Sequence, residues 1–182
     1  MVTLTDIDII QLLRKNNLNP DTLQEDVVSK LKELGLKVAT AESCTGGLIS
    51  ERITRVSGSS EVFDCGVCSY ANEIKTKVLG VSEETLTVLG AVSAETAIQM
   101  AEGVKKLSGS DIAVSTTGIA GPTGGTAEKP VGLVFMGVCT KDKAYAIKLL
   151  LGGANNQNNR ATIRRAASDA ALFTVLSECY SG

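Results

Sequence analysis

The 182-residue sequence contains no histidine and no tryptophan, and it has only 3 prolines, 3 tyrosines and 3 phenylalanines. The missing histidine excludes Ser-His-Asp triads, Cys-His dyads and HExxH zinc sites, because each of these uses an imidazole as a base or as a metal ligand. Any hydrolysis that this chain carries out must therefore rely on a different base.

A strong charge of either sign is also missing. Lysine and arginine together number 18 and aspartate and glutamate 20, which gives a formal net charge of −2. This balance offers neither the basic field that binds nucleic acid nor a patch that attracts a membrane surface. No apolar run approaches the length of a membrane span, and the first residues do not resemble a secretory signal. We therefore expect a cytoplasmic protein that binds neither nucleic acid nor a membrane.

The cysteines number 5, an odd count, and most have small or apolar neighbours, as buried free thiols usually do. Cys65 and Cys68 share a CGVC motif, which invites a redox or zinc interpretation. The motif runs into a predicted strand rather than onto a helix N-terminus, and no second pair supplies metal ligands. We interpret it as core packing, and we predict neither structural disulfides nor a metal or other cofactor.

Hydrophobic periodicity predicts one α/β domain with an N-terminal extension. Apolar residues from Leu4 to Leu13 predict a helix that the segment from Asn17 to Pro20 interrupts, so we assign residues 1–20 to a helical appendage and 21–182 to the main domain. Strands then alternate with helices, and the last two strands form a hairpin. The predicted strands span residues 37–41, 66–71, 111–117, 131–140 and 144–151.

Parallel strands joined by right-handed crossovers have their carboxyl ends along one edge of the sheet, where ligands bind in such folds. Chain direction then brings four loops together at that edge. The loops lie near Ser43, from Tyr70 to Lys75, from Gly118 to Pro130 and from Gly152 to Arg160.

Ser43 lies in the motif AESCTGG, between a predicted strand and a predicted helix. The first free N–H groups of that helix are expected from Thr45 through Gly46 to Gly47, where they can stabilise an oxyanion beside a serine nucleophile. A serine here can instead cap the helix, which is the commoner role. Cys44, the next residue, is a rival nucleophile.

A serine nucleophile needs a base, and without histidine the best candidate is a lysine kept neutral by burial or by a nearby positive charge. Lys75 follows Asn72 by three residues, so their side chains share a helix face that Lys77 does not. We predict that Lys75 is the base, although a lysine in such a stretch is often simply solvated. Tyr70 can relay a proton or stack on an aromatic ligand, or it can be an ordinary half-buried tyrosine.

Residues 118–132 read GIAGPTGGTAEKPVG and include five glycines and two prolines. Glycine lets backbone N–H groups approach an anion closely, so this run predicts a phosphate-binding loop, although it matches neither the Walker pattern nor the dinucleotide fingerprint. A long structural turn is the alternative. The candidate ligand-binding residues in the loop are Gly118, Gly121, Thr123 and Gly124.

Arg160 opens the last predicted helix at the same edge of the sheet. Its guanidinium can clamp a phosphate or help to keep Lys75 neutral. A solvated surface arginine is the alternative. Arg164 and Arg165 lie nearby, and we expect some of these arginines to have no role beyond solvation.

Four motifs, AESCTGG, Tyr-x-Asn-x-x-Lys, GAVSAET and GIAGPTGGTAEKPVG, occur in this order. In their order and spacing they resemble the C-terminal domain of CinA and its stand-alone relatives, the nicotinamide-nucleotide amidases. The resemblance covers about residues 21–178. It implies a three-layer α/β/α sandwich with a mixed, mainly parallel five-stranded sheet, often found as a homodimer.

The resemblance also implies metal-free hydrolysis of the carboxamide of nicotinamide mononucleotide, giving nicotinate mononucleotide and ammonia. The family's serine and lysine match Ser43 and Lys75, and its tyrosine and arginine match Tyr70 and Arg160. Family members typically reach this arginine through a Phe-x-Gly-Asp-Arg turn, whereas this chain has LLGGANNQNNR. The alternatives are therefore a catalytically silent pyridine-nucleotide-binding module and a competence-related partner protein. The nucleotide-binding domain of full-length CinA is absent, and we expect the stand-alone form.

Overall fold

A computed structural model describes residues 1–152 and 159–180, so most of the predicted loop from Gly152 to Arg160 lies outside the described residues. Within these ranges the chain forms one six-stranded sheet with helices on both faces. The strands are β1 (Thr3–Thr5), β2 (Val38–Glu42), β3 (Phe63–Cys68), β4 (Ile112–Gly118), β5 (Leu133–Cys139) and β6 (Ala144–Leu150). The helices are α1 (Asp6–Lys15), α2 (Leu23–Leu34), α3 (Leu48–Thr54), α4 (Asn72–Leu79), α5 (Glu83–Val88), α6 (Ala94–Ser108) and α7 (Arg160–Glu178).

Local sequence signals set the ends of several helices. The hydroxyl of Thr5 accepts from the N–H of Asp8 while the Asp8 carboxylate accepts from the N–H of Thr5, a capping box that starts α1. Ser93 and Asn159 cap α6 and α7 in the simpler way, with one side-chain oxygen. Helix α2 ends at Leu34, and its C-cap residue Gly35 has a φ of 64°, a value that glycine adopts readily.

The strand order in the sheet is β1-β6-β5-β4-β2-β3. Strand β2 pairs in parallel with both β3 and β4, whereas β5 is antiparallel to β4 and β6. The register sets Glu42 beside Cys68 on one side and Thr116 on the other, so the loops after β2, β3 and β4 leave the sheet at the same edge. The predicted α/β class with a mixed, mainly parallel sheet is confirmed.

The predicted number of five strands is one too few. Residues Thr3–Thr5 form the short edge strand β1, which pairs in parallel with β6 and sets Thr5 opposite Leu150. Leu4 therefore lies in a strand, and the first helix begins only at Asp6. Three residues are too few to show the period of two that identifies a strand, and the helical spacing that follows masks them.

The helices pack as two layers, one on each face of the sheet. Helices α1, α2, α3 and α7 cover one face with the larger apolar cluster, which includes Leu31, Ile53 and Leu172. Helices α4 and α6 cover the other face with a smaller cluster that includes Leu79 and Met100. Over the described part of the chain, no helix is both long and apolar enough to cross a membrane.

Arg52 on α3 links three helices of the larger layer. Its side chain is only 1% exposed, and its guanidinium donates to the Asp169 carboxylate at 2.7 Å and the Ser168 hydroxyl at 2.9 Å, both on α7. It also donates to the Gln24 side chain on α2 at 3.2 Å and to the Pro20 carbonyl at 2.6 Å. A buried charge is tolerated only when it is paired and hydrogen-bonded in this way.

We expect Arg52→Met to lower the free energy of unfolding by about 3–5 kcal/mol, since it leaves the buried Asp169 carboxylate short of its closest partner. Urea unfolding followed by circular dichroism measures the change. Arg55→Met is the matched control, because Arg55 is exposed and, among the described residues, pairs with Glu51 alone, so its loss should cost less than about 1 kcal/mol. Equal losses for the two variants would contradict the role of this network.

Candidate active site

Loops at the carboxyl edge of the sheet enclose a cleft of about 190 Å³. Its walls come from the segments after β2, β3 and β4, from the connection between α5 and α6, and from the first residue of α7. Six of the predicted site residues line this cleft. They are Ser43, Tyr70, Asn72, Lys75, Gly118 and Arg160.

Ser43 begins a tight turn directly after β2. Its N–H donates to the Thr116 carbonyl on β4 at 2.9 Å, and its own carbonyl accepts from the N–H of Gly46 at 3.1 Å. Among the described residues, the N–H groups of Cys44 and Thr45 have no oxygen acceptor. The turn therefore has two backbone N–H groups directly after Ser43 that bond to no oxygen, although both interact with the Cys44 sulfur.

Ser43 does not cap α3, although its position in the sequence is compatible with that role. Helix α3 begins only at Leu48, after the N-cap Gly47. The buried carboxylate of Glu42 lies at its N-terminus, accepting from the N–H of Ile49 at 3.0 Å and of Ser50 at 2.8 Å. A negative charge at a helix N-terminus satisfies free N–H groups and is favoured by the helix dipole. Glu42 thus performs the capping, and the Ser43 hydroxyl is left for another partner.

That partner is Lys75. Its side chain is 1% exposed, and its Nζ lies 3.1 Å from the Ser43 Oγ. Nζ also donates to the carbonyl of Ser69 at 2.7 Å and to that of Tyr70 at 3.3 Å. Burial lowers the pKa of Lys75, and the nearby thiols of Cys44 and Cys68 oppose this only in part. Lys77, two residues later, is exposed on the same helix.

Cys44 lines the cleft beside Ser43 but is poorly suited as a nucleophile. Burial raises the pKa of its thiol to about 12, so the reactive thiolate is scarce near neutral pH. Its sulfur is packed in the larger apolar cluster. Cys65 and Cys68 lie on β3 as free cysteines, with the Cys68 side chain exposed.

Tyr70 and Arg160 are joined at the mouth of the cleft. The Arg160 guanidinium donates to the Tyr70 hydroxyl at 2.9 Å and to the carbonyl of Gly121 at 3.0 Å. Tyr70 is 64% exposed, so its ring faces solvent at this edge. Arg160 therefore bridges the segment after β3 and the glycine-rich loop after β4, while both remain accessible to a ligand.

The other predicted residues lie near the cleft without lining it. The Thr45 hydroxyl bonds to the Thr116 hydroxyl at 2.7 Å, and the Gly46 N–H is used within the turn. Thr123 and Gly124 are exposed farther along the glycine-rich loop. Gly118, which does line the cleft, leaves no room for a side chain, because a Cβ there would lie 2.5 Å from the Leu133 carbonyl oxygen.

Arg164 also contacts the site, although the motifs assign it no role. Its Nε and Nη2 donate to the Thr45 carbonyl at 3.0 Å and 2.6 Å. The signal in the sequence is its spacing, since Arg160 and Arg164 are four residues apart and therefore share a face of α7.

The charges that line the cleft have one sign. Arg160 is cationic, burial lowers the pKa of Lys75, and the lining residues that the structure describes include no carboxylate. Residues 1–152 and 159–180 also contain no group of three His, Cys, Asp or Glu side chains placed to hold a metal ion. This arrangement favours a ligand with an anionic group at the Arg160 end.

Comparisons with known proteins agree on one family. The CinA C-terminal domain model matches residues 20–179. A protein of Caldicellulosiruptor saccharolyticus named as competence-damage inducible is 56% identical over 155 residues, which are 85% of this chain and 36% of that protein. A CinA-like protein of Kosmotoga olearia is 54% identical over 144 residues, 79% of this chain and 35% of that protein. The chain thus spans little more than a third of the length of these relatives.

Solved structures show the same relationship. The competence/damage inducible protein CihA from Agrobacterium tumefaciens matches with a TM-score of 0.82 and 43% identity, over 87% of this chain and 94% of that one. A CinA superfamily protein from Klebsiella pneumoniae matches with a TM-score of 0.83 and 29% identity, over 90% and 99% of the two chains. From residue 20 to residue 179, this chain belongs to the CinA C-terminal domain family.

Proposed function

We propose that this chain hydrolyses the carboxamide of nicotinamide mononucleotide to nicotinate mononucleotide and ammonia. The observation that carries the proposal is the 3.1 Å contact between the Nζ of Lys75 and the Oγ of Ser43, with both side chains buried in a histidine-free chain. A buried lysine amine next to a serine hydroxyl is one of the few pairs that can replace a serine and histidine. The resemblance to the nicotinamide-nucleotide amidases supplies the substrate.

The hydrogen bonds around Lys75 suit a neutral amine. A neutral amine has two N–H donors and one lone pair, and the carbonyls of Ser69 and Tyr70 are two acceptors within reach. The lone pair is then available to the third neighbour, the Ser43 hydroxyl. Because burial disfavours the ammonium form, this arrangement makes Lys75 a base at a pH where an exposed lysine is protonated.

The reaction then follows in two steps. In the first, the Ser43 Oγ attacks the carboxamide carbon while its proton passes to Lys75, and Lys75 returns that proton to the departing nitrogen as the C–N bond breaks and ammonia leaves. In the second, water attacks the resulting ester, gives its proton to Lys75, and Lys75 protonates the released Ser43 oxygen. The products are the carboxylic acid and free enzyme, and no metal is required.

The oxyanion that forms in both steps needs hydrogen-bond donors. The N–H groups of Cys44 and Thr45, which bond to no oxygen among the described residues, follow the nucleophile directly and are the candidates for this role. Gly46, which the sequence also suggested, is a weaker candidate because its N–H already donates to the Ser43 carbonyl.

The substrate phosphate is assigned to the cationic end of the cleft. Arg160 is anchored to Tyr70 and Gly121 but is still exposed, so the remaining donors of its guanidinium can meet a phosphate oxygen. The exposed Tyr70 ring offers a face on which the pyridinium ring can stack, and Asn72 lies beside it in the cleft wall. A homodimer, as in the family, is part of the same proposal.

Ammonia release from nicotinamide mononucleotide by the purified chain, read by a coupled assay, tests the activity. A second candidate function is a competence-related role, which rests on the names of the relatives. Binding of the nucleotide without release of ammonia would favour a silent binding module instead, and the absence of both would favour the competence-related role.

Lys75→Met should lower kcat by about 10²- to 10⁴-fold, since it keeps most of the apolar stem but removes the general base. Ser43→Ala should lose at least as much. If the two residues act as one unit, the double variant will be little worse than either single variant. Lys77→Met is the matched control, because Lys77 is exposed on the same helix and should keep near-normal kcat. Near-normal turnover in Lys75→Met would rule out this base.

Nicotinamide riboside, which lacks the phosphate, should be a poorer substrate than the mononucleotide by about 10- to 100-fold in kcat/KM, the value of charge-assisted hydrogen bonds to one anion. Arg160→Met should remove most of this preference by slowing only the mononucleotide reaction. Arg55→Met, an exposed arginine outside the cleft lining, serves as the control and should leave the preference intact. A preference that survives Arg160→Met would place the phosphate elsewhere.

Iodoacetamide near neutral pH should alkylate Cys68 at least ten times faster than Cys44, because Cys68 is exposed whereas burial both covers Cys44 and raises its pKa to about 12. Mass spectrometry of peptides from the folded and the urea-unfolded chain measures the two rates. The rates should become similar after unfolding. Rapid labelling of folded Cys44, with loss of ammonia release, would make Cys44 rather than Ser43 the nucleophile.

A further inference from the structure

Arg164 makes an unusual use of its guanidinium. Two of its nitrogens, Nε and Nη2, donate to a single backbone oxygen, the carbonyl of Thr45. The side chain is half-buried, and within the described ranges it lies in no ion pair with a carboxylate. The next residue, Arg165, differs because it pairs with Asp169 and Asp21.

The peptide that Arg164 holds belongs to the Ser43–Gly46 turn. The C=O of Thr45 and the N–H of Gly46 are parts of one planar trans peptide, so they point in opposite directions. Arg164 and the N–H of Leu48, at 3.3 Å, donate to the oxygen side, and the Ser43 carbonyl accepts from the N–H side at 3.1 Å. The peptide is therefore fixed from both ends and cannot rotate unless one of these contacts breaks.

Gly46 adds an independent sign of close packing. A Cβ on Gly46 would lie 3.5 Å from the Nη2 of Arg164, so the guanidinium lies directly against this glycine. Gly46 also has a φ of 59°, which most other residues adopt only at a cost. The turn thus has a backbone shape that needs glycine, with an arginine packed against it.

We propose that Arg164 is a positioning residue of the amidase reaction, acting through the Ser43–Gly46 turn. It holds the turn so that the Ser43 hydroxyl meets Lys75 and the N–H groups of Cys44 and Thr45 keep their positions directly after the nucleophile, where an oxyanion can form. The inference rests on the proposed function for the identity of the reaction. The effect of Arg164 on the position of the Ser43 hydroxyl does not depend on which substrate is hydrolysed, and it can be measured separately.

Arg164→Met keeps the bulk of the side chain and removes both donors. It should lower kcat for nicotinamide mononucleotide by about 10- to 100-fold, the effect expected when a reacting group is displaced by about 1 Å, with KM changed less than about 3-fold. Arg164→Lys can restore one hydrogen bond and should recover part of kcat. Arg165→Met is the matched control. Arg165 is the next residue on α7, but it pairs with Asp169 and Asp21 instead of contacting the Ser43–Gly46 turn.

A second readout makes the test independent of the substrate. A fluorophosphonate probe reacts with an activated serine and develops negative charge on its phosphoryl oxygen, so its rate of labelling at Ser43 reports the nucleophile and the oxyanion donors together. Arg164→Met should slow this labelling about as much as it slows turnover, and Arg165→Met should leave it near normal. Thermal melting of each variant separates these effects from loss of folded protein.

The possible outcomes are distinct. Ser43 labelling without ammonia release in the unmodified chain would remove the proposed substrate, and the labelling rates would still decide the role of Arg164. Unchanged kcat and labelling in folded Arg164→Met would overturn the inference. Losses of the same size in Arg165→Met would also overturn it, because they would indicate general support of the helix. A loss in Arg164→Met that appears mainly in KM would overturn it too, because it would indicate a role in ligand binding.

Discussion

The arrangement of the site depends on the burial of one lysine. Lys75 is 1% exposed, and its polar partners are a hydroxyl and two carbonyls, with no carboxylate in ion-pair contact among the described residues. Burial removes hydration from the protonated amine, and this lowers the pKa of Lys75. Two of its partners, Ser43 and Ser69, directly follow β2 and β3. The parallel pairing of those strands is therefore what brings Lys75 to Ser43, which lies 32 positions away in the sequence.

Helix α7 connects this edge of the sheet to the core behind it. Arg160, Arg164 and Ser168 follow one another at intervals of four and so share a face of the helix. Arg160 reaches the mouth of the cleft, Arg164 holds the turn that contains Ser43, and Ser168 accepts from the buried Arg52 of α3. The buried ion pair between Arg52 and Asp169 thus fixes the position of α7. Because Arg160 and Arg164 lie on the same helix, this ion pair also sets where their side chains reach the site.

Much of the site could be predicted from the sequence because a few rules restrict it strongly. The missing histidine points to a lysine as the base, and the convergence of parallel strand ends brings Ser43, Lys75 and Arg160 to one edge. Contacts made by the backbone could not be predicted in this way. Arg164 looks like a surface arginine in the sequence, since its partner is a carbonyl and carbonyls occur at every residue. The raised pKa of the Cys44 thiol likewise depends on burial that no local pattern in the sequence indicates.

The N-terminal residues extend the same sheet. They lie outside the matched family model, which begins at residue 20, yet β1 pairs with β6 and the Asp6 carboxylate accepts from the N–H of Gly152 at 2.7 Å. Gly152 is where the chain leaves β6 on its way to Arg160. A hydrogen bond to a charged carboxylate is stronger than one between neutral groups, so Asp6 holds the point from which that connection starts. Residues 1–15 therefore extend the sheet by one strand and hold the chain in place where it leaves β6.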